Sequence, residues 1–268
     1  MLEPNKIYCM DCLEGIKKLK ENSCQIIIAD PPYNIGKDFG NNKDKRERGE
    51  YIKWCDEWVA ECVRVLKPNG TIFIYGFSEI LAFLFVRMIA LHKRWLIWHY
   101  TNKNMPTNKF WQRSHESIIC CWKGDNQPIF NLDDVREPYT YGFLNGSAGK
   151  VRPATIGRLN KKGKETIYNA HEKGALPRDV IKIPALAGGA GMNERVDHPT
   201  QKPIALCDKL ILSARQKEGI VLVPFAGSGS ECISAKKLGL DFIGFEINPE
   251  YIKIAEKRLS ETSKQLTL

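Results

Sequence analysis

Val221–Gly239 reads VLVPFAGSGSECISAKKLG, and this stretch decides the fold. Ile220–Val223 is a short apolar run, Phe225-Ala226-Gly227-Ser228-Gly229-Ser230 is a tight turn, and Glu231–Leu238 is a helical segment stopped by Gly239. A brief apolar run bounded by a proline and glycines predicts a buried strand, and glycine commonly ends a helix. Strand, glycine turn and helix make the first half of a nucleotide-binding βαβ unit. Gly227 and Gly229 let the backbone turn sharply and bring a ligand close. The next strand, Phe242–Glu246, ends on an acid about twenty residues further on, where such folds hold ribose hydroxyls. Asn248 then stands to cap a last helix with Pro249 at its first position. No third glycine and no Gly-Lys-Ser/Thr follow, which disfavours a dinucleotide site and a P-loop. An adenosine-bearing ligand without a pyrophosphate remains, and S-adenosylmethionine fits.

Outward from this unit, the same alternation continues. Leu13, Ile16 and Leu19 lie at helical spacing, and Gln25–Ala29 is a buried strand that runs into Asp30-Pro31-Pro32-Tyr33. Gly36–Glu50 is polar and reads as a mobile loop. Tyr51–Leu66 is an amphipathic helix, closed by Lys67-Pro68-Asn69-Gly70. Thr71–Tyr75, Trp95–His99 and Ser117–Trp122 are further strands, Ile80–Leu91 is a helix, and Pro203 opens another that runs to about Gln216. Strands alternating with helices predict an α/β, Rossmann-like fold: a mostly parallel sheet covered on both faces. Residues 1–268 read as a single domain carrying one insertion, residues 131–195, where the chain turns polar, glycine-rich and net basic.

The composition, 43% hydrophobic and 26% charged, is that of an ordinary globular protein. The formal charge of +9 favours a polyanionic partner, most simply nucleic acid. The opening MLEPNKIYCM lacks a basic segment followed by an apolar one, so no signal peptide is expected. The longest apolar stretch, Glu79–Leu91, is too short to span a bilayer and is interrupted by Arg87, so no membrane partner is expected. Nine scattered cysteines are not a disulfide framework and point to a reducing cytoplasm. Cys9 and Cys12 form a CxxC with no second pair at zinc-finger spacing, so no metal site is expected.

Asp30-Pro31-Pro32-Tyr33, then His198-Pro199-Thr200-Gln201-Lys202-Pro203, then Phe225-Ala226-Gly227-Ser228-Gly229 resemble the amino-DNA methyltransferases of bacterial restriction–modification systems. This order, catalytic motif before cofactor motif, is similar to the circularly permuted β group. The likeness spans nearly the whole chain, and Thr101–Pro106 (TNKNMP) and His115–Ser117 (HES) add to it. The resemblance implies a seven-stranded sheet with helices on both faces and S-adenosylmethionine as methyl donor. The acceptor it implies is the exocyclic amine of adenine (N6) or cytosine (N4) in double-stranded DNA. Adenine is favoured, because the cytosine enzymes more often carry Ser at the Asp30 position. By position, Asp11 and Cys12 would flank the cofactor's adenine, and Glu246, with Asn248 beyond it, would hold the ribose. Thr200, Gln201 and Lys202 would sit near the methionine carboxylate, where a helix N-terminus favours anions. One departure stands out: the family usually has Asp before its Pro-Phe, and here Val223 stands there, which leaves Asp30 to serve the cofactor's amino group. Ser230, where Thr is common, is a milder change. A cognate restriction endonuclease and a homodimer are further partners that the family admits.

The chemistry explains why a strand would end on a carboxylate and then stiffen. The lone pair of an exocyclic amine is delocalised into its ring, so attack on a methyl group needs the nitrogen to become more tetrahedral. Asp30 accepting one N–H and the Pro31 carbonyl the other would hold it so. Pro31 and Pro32 fix that direction by restricting φ, and Tyr33 offers a ring for a base flipped out of the duplex. The insertion would be the target recognition region, with Lys161, Lys162 and Lys164 on phosphates.

Overall fold

A computed structural model describes residues 2–39, 44–102, 109–125, 127–152 and 165–262. Its larger unit comprises Met1–Phe130 and Asp179–Leu268. The strands and helices of its first half are β1 (Lys6–Cys9), α1 (Cys12–Ile16), β2 (Cys24–Ala29), α2 (Arg48–Val65), β3 (Leu66–Gly76), α3 (Ser78–Arg87), β4 (His92–His99) and β5 (His115–Trp122).

The second unit, Asn131–Arg178, holds α4 (Tyr141–Gly146) and a short antiparallel pair, β6 (Val151–Arg152) with β7 (Thr166–Ile167). Within it, Arg136 pairs with Asp133 and also donates to the Gly174 carbonyl at 2.9 Å. Arg152 lies over the Tyr168 ring. Asp133 and Asp134 offset part of the basic excess of this segment.

The larger unit resumes with β8 (Val180–Lys182), α5 (Ile204–Ala214), β9 (Ile220–Val223), α6 (Ser230–Lys237), β10 (Asp241–Glu246) and α7 (Pro249–Glu261). Among the described residues its sheet has eight strands, in the order β1-β10-β9-β2-β3-β5-β4-β8. β5 alone runs antiparallel, so the sheet is mostly parallel, as expected.

All six residues of β2 are buried, because both faces of this central strand are covered. Side chains alternate across a strand, so Ile26 and Ile28 join the layer built with α5, α6 and α7, including Leu206, Leu210, Cys232 and Ala255. Ile27 and Ala29 join the opposite layer with Ile16 of α1 and Tyr51, Trp58 and Cys62 of α2. Each isoleucine removed from water contributes about 1.5–3 kcal/mol, so these two layers fix which strand lies at the centre.

Three local expectations change. The sheet has eight strands where seven were expected, since β8 is a three-residue edge strand inside the polar stretch read as insertion. β1, a four-residue edge strand, carries no apolar run to announce it. Lys67-Pro68-Asn69-Gly70 does not separate helix from strand: β3 starts at Leu66 and bulges. Leu66 pairs with Cys24 and Thr71 with Ile26, so the four residues between loop outward, and Gln25 Nε2 donates to the Asn69 carbonyl. The segment after Tyr33 is held rather than loose at its start. Asp44, 4% exposed, accepts from the N–H groups of Asn34, Ile35 and Lys37. Among the described residues no helix is long and apolar enough to cross a membrane.

β2 and β9 are neighbours in the sheet, with Ile26 opposite Val221 and Ile27 opposite Leu222. From β2 the chain proceeds to β3 on one side, and from β9 to β10 on the other. Their carboxyl ends therefore bound a topological switch point, the place where open α/β sheets bind ligands.

Candidate active site

The crevice at that switch point is lined by residues from five strand ends and loops: Asp11 and Cys12 after β1, Asp30–Tyr33 after β2, Thr200–Lys202 before α5, Pro224–Ser228 after β9, and Glu246 and Ile247 at the end of β10. Tyr51 and Trp54 of α2 and Tyr251 of α7 close its sides.

At its centre is a buried ion pair. Lys202 is 4% exposed, and its Nζ donates to Asp30 Oδ1 at 2.8 Å and Oδ2 at 2.7 Å. Glu116 Oε2 lies 3.5 Å from the same ammonium. Burial alone would push the Lys202 pKa down, but the charges of Asp30 and Glu116 outweigh it and hold the group above the ordinary lysine value. The Tyr33 hydroxyl approaches Asp30 Oδ1 at 2.8 Å and Glu116 Oε2 at 3.0 Å, and that of Tyr100 donates to Glu116 Oε1 at 3.4 Å. An ionised carboxylate offers about four lone-pair sites. Lys202 and Tyr33 use three on Asp30, which leaves one for a further donor. The Pro32 carbonyl accepts from the Tyr51 hydroxyl at 2.7 Å, which fixes the two-proline segment from behind. Among the described residues the Pro31 carbonyl receives no hydrogen bond.

The glycine turn is built by close approach. Gly227 has φ +48°, and a Cβ there would meet His198 Nε2 at 2.8 Å. Gly229 has φ +79°, and a Cβ there would meet the Ala255 methyl at 2.8 Å. His198 is pushed down to about 4, by burial first and then by the charge of Lys202, so its ring is neutral near pH 7. Phe225 packs edge-on against Trp54 and Trp58. Glu246 accepts from Gly227 N and from Asn248 N, each at 2.8 Å, which fixes its carboxylate with lone pairs to spare. Glu231, the second residue of α6, is 3% exposed, and its Oε1 has no hydrogen-bond partner among the described residues.

Most of the residues singled out from sequence line this one crevice: Asp11, Cys12, Asp30, Pro31, Pro32, Tyr33, Thr200, Gln201, Lys202, Phe225, Ala226, Gly227, Ser228, Ser230 and Glu246. Gly229 and Asn248 lie outside the lining. Asn248 caps α7 through Glu250 N and donates to the Phe39 carbonyl. Gln201 spends its amide on Val196 N and the Glu194 carbonyl, and Ile204 N at the start of α5 is capped by Glu194 Oε1. The Lys202 ammonium points to Asp30 rather than to that helix N-terminus. Lys161, Lys162 and Lys164 lie outside the described residues, as does Lys103–Pro106 of the TNKNMP segment. Sequence reasoning assigned nothing to Glu116 or Glu231. The signal for Glu116 was an acid at the start of a strand, HESIICCW, that runs on into the apolar Ile118–Trp122; for Glu231 it was an acid directly after the glycine turn.

A family model described as DNA methylase matches residues 24–257. The type II methyltransferase M.HpaI of Haemophilus parainfluenzae is 33% identical over 258 residues, 95% of this chain and 74% of that one. The DNA adenine methyltransferase YhdJ of Escherichia coli K12 is 34% identical over 263 residues, 97% and 84% of the two chains. Among solved structures, the complex of M1.HpyAVI with SAM matches with a TM-score of 0.62 at 24% identity, covering 95% of this chain and 98% of that one. The cytosine-N4-specific PvuII DNA methyltransferase matches with a TM-score of 0.69 at 16% identity, covering 96% and 87%. Both structures share the fold.

Proposed function

The chain belongs to the DNA methylase family, and from that premise we propose that it methylates the N6 amine of an adenine flipped out of double-stranded DNA, as the modification enzyme of a restriction–modification system. The observation that carries the adenine reading is Asp30, a carboxylate at the end of β2, held by Lys202 and Tyr33 with one acceptor site left over. The relatives named as type II methyltransferases, and YhdJ named as an adenine enzyme, support the same assignment.

S-adenosylmethionine supplies an electrophilic methyl group that needs no further activation. The crevice fits this donor. Glu246 is a fixed carboxylate suited to vicinal hydroxyls, Phe225 and Ile247 are apolar walls, and Glu231 Oε1 is an acceptor without a donor among the described residues. The chain's own residues then position the base. Asp30 accepts one amine hydrogen at its remaining site, and the Pro31 carbonyl, turned by two prolines and next to the Pro32 carbonyl that Tyr51 holds, accepts the other. The nitrogen lone pair is thereby directed away from the ring. The surrounding wall of Tyr33, Tyr51, Trp54 and Phe225 keeps water from the reacting nitrogen.

Mass spectrometry of nucleosides from DNA methylated by the protein tests the assignment. N6-methyldeoxyadenosine is expected, and N4-methyldeoxycytidine as the sole product would overturn it in favour of the cytosine reading. Glu246→Ala is expected to raise the dissociation constant of the cofactor at least about tenfold, since hydrogen bonds to a charged group are worth about 1.5–3 kcal/mol. Calorimetric titration of folded protein checks this, and unchanged affinity would place the ribose elsewhere.

The segment 131–195 would carry target recognition. Replacing Lys161, Lys162 and Lys164 together by Gln is expected to weaken DNA binding. If each lysine neutralises a phosphate, the log–log salt slope should flatten by about 0.9 for every phosphate left without its lysine. A slope that does not move would make this run a solvated surface.

A further inference from the structure

We propose that Glu231 receives the α-ammonium group of the bound S-adenosylmethionine, an inference that rests on the proposal that this crevice holds that donor. The amino-acid end of the cofactor carries an ammonium as well as a carboxylate, so a buried site for it requires an acceptor of negative charge. Glu231 is the sole acid in the strand–turn–helix stretch Val221–Gly239, because β9 ends on the apolar, fully buried Val223. It lines the crevice, it is 3% exposed, and one of its oxygens is unpartnered among the described residues.

The other acids of the crevice are engaged. Asp30 holds Lys202 and the Tyr33 hydroxyl, Asp11 holds Leu13 N, Asp44 holds three backbone N–H groups and Glu246 two, while Glu116, outside the lining, faces Lys202 and accepts from Tyr100. Of the nearby cations Lys202 is fully engaged, whereas Arg258 spends only its Nη1: its Nη2 has no hydrogen-bond partner among the described residues and lies 4.0 Å from Glu194 Oε1. Lys202 faces Asp30 and Glu116, and Arg258 of α7 donates to the Ser228 carbonyl and the Ser230 hydroxyl. The buried Glu116 and Glu231 and the largely covered Asp30 thus face the buried Lys202 ammonium with Arg258 as the next cation, and a ligand ammonium would improve the balance.

Burial, and after it the negative charge of Asp30, pushes Glu231 up to about 7. Lys202 before α5, the Cys207 thiol of α5, the Tyr75 hydroxyl of β3 and Arg258 of α7 face it. Below that value Glu231 is mostly protonated, and docking an ammonium against it would expel the proton. Affinity for an amine-bearing ligand should therefore fall as pH drops from 8 to 6, with proton release on binding.

The test is calorimetric titration of S-adenosylhomocysteine and of its analogue with hydrogen in place of the amino group. Wild-type protein is expected to bind the parent ligand at least tenfold more tightly than the desamino analogue. Glu231→Gln is expected to bind both ligands about equally, to keep the wild-type affinity for the desamino analogue, and to lose the proton release seen at pH 6 in buffers of different ionisation enthalpy. Wild-type protein that binds both ligands equally would overturn the proposal without touching the cofactor assignment. So would a Glu231→Gln variant that preserves the tenfold discrimination. Wild-type protein that binds neither ligand would overturn the cofactor assignment and this inference with it. The wild-type comparison needs no variant, so it decides even if Glu231→Gln does not fold.

Discussion

Asp30→Ala is expected to lower methyl transfer at least about a hundredfold, the usual cost of removing one positioned hydrogen-bonding group, and to destabilise the fold at the same time. The two effects have different origins. Activity falls because the acceptor that shapes the amine is gone. Stability falls because Lys202 Nζ loses both of its short hydrogen bonds, at 2.7 and 2.8 Å, and keeps Glu116 at 3.5 Å. Deleting one partner of a buried ion pair costs about 3–5 kcal/mol, and the surviving Glu116 interaction places this case at the low end. The double variant Asp30→Ala/Lys202→Met removes the stranded ammonium and leaves Glu116 on the Tyr33 and Tyr100 hydroxyls. Its melting temperature should return towards that of the wild type while methyl incorporation into duplex DNA stays lost. A double variant that methylates DNA at near wild-type rate would mean that Asp30 only anchors Lys202.

Much of this site was legible because its two halves are local. Ile26–Ala29 running into Asp30-Pro31-Pro32-Tyr33, and Val221–Val223 running into a glycine turn, each declare a strand and the turn at its end within a dozen residues. That the two strands lie side by side is a matter of sheet order, which no local pattern carries; the register of Ile26 opposite Val221 shows it. The less legible features are those without a periodic signal. β1 and β8 are short edge strands with exposed positions, and strands of that length bury too little to leave an apolar alternation. Lys67-Pro68-Asn69-Gly70 has turn composition, yet it sits in a bulge of β3, because a bulge and a turn call on the same residues. Glu116 and Glu231 were missed for another reason. The chemistry of a buried acid depends on the groups that face it, and two of the three partners of Glu116, Tyr33 and Lys202, are more than eighty residues away in sequence, with Tyr100 sixteen away.

Tyr33→Phe and Tyr33→Ala are expected to fail at different steps. The Tyr33 ring is 7% exposed, meets Phe77 edge-on at 5.0 Å and lines the crevice beside Asp30. Its hydroxyl lies 2.8 Å from Asp30 and 3.0 Å from Glu116. Phe keeps the ring and removes a hydrogen bond to a charged group, worth about 1.5–3 kcal/mol, so turnover should fall roughly ten- to a hundredfold with DNA affinity unchanged. Ala removes the ring as well. Base–aromatic stacking is worth about 1–3 kcal/mol per base, so the flipped base is no longer retained, and the loss appears in binding as well as in turnover. A fluorescent adenine analogue at the target position separates the two. It should brighten on binding wild type and Tyr33→Phe alike, and stay dim with Tyr33→Ala. If Tyr33→Phe left the analogue as dim as Tyr33→Ala does, the hydroxyl rather than the ring would be holding the base. Tyr33 would then act through Asp30 and Glu116 alone, and the surface on which the base stacks would have to be sought elsewhere in the aromatic wall of the crevice.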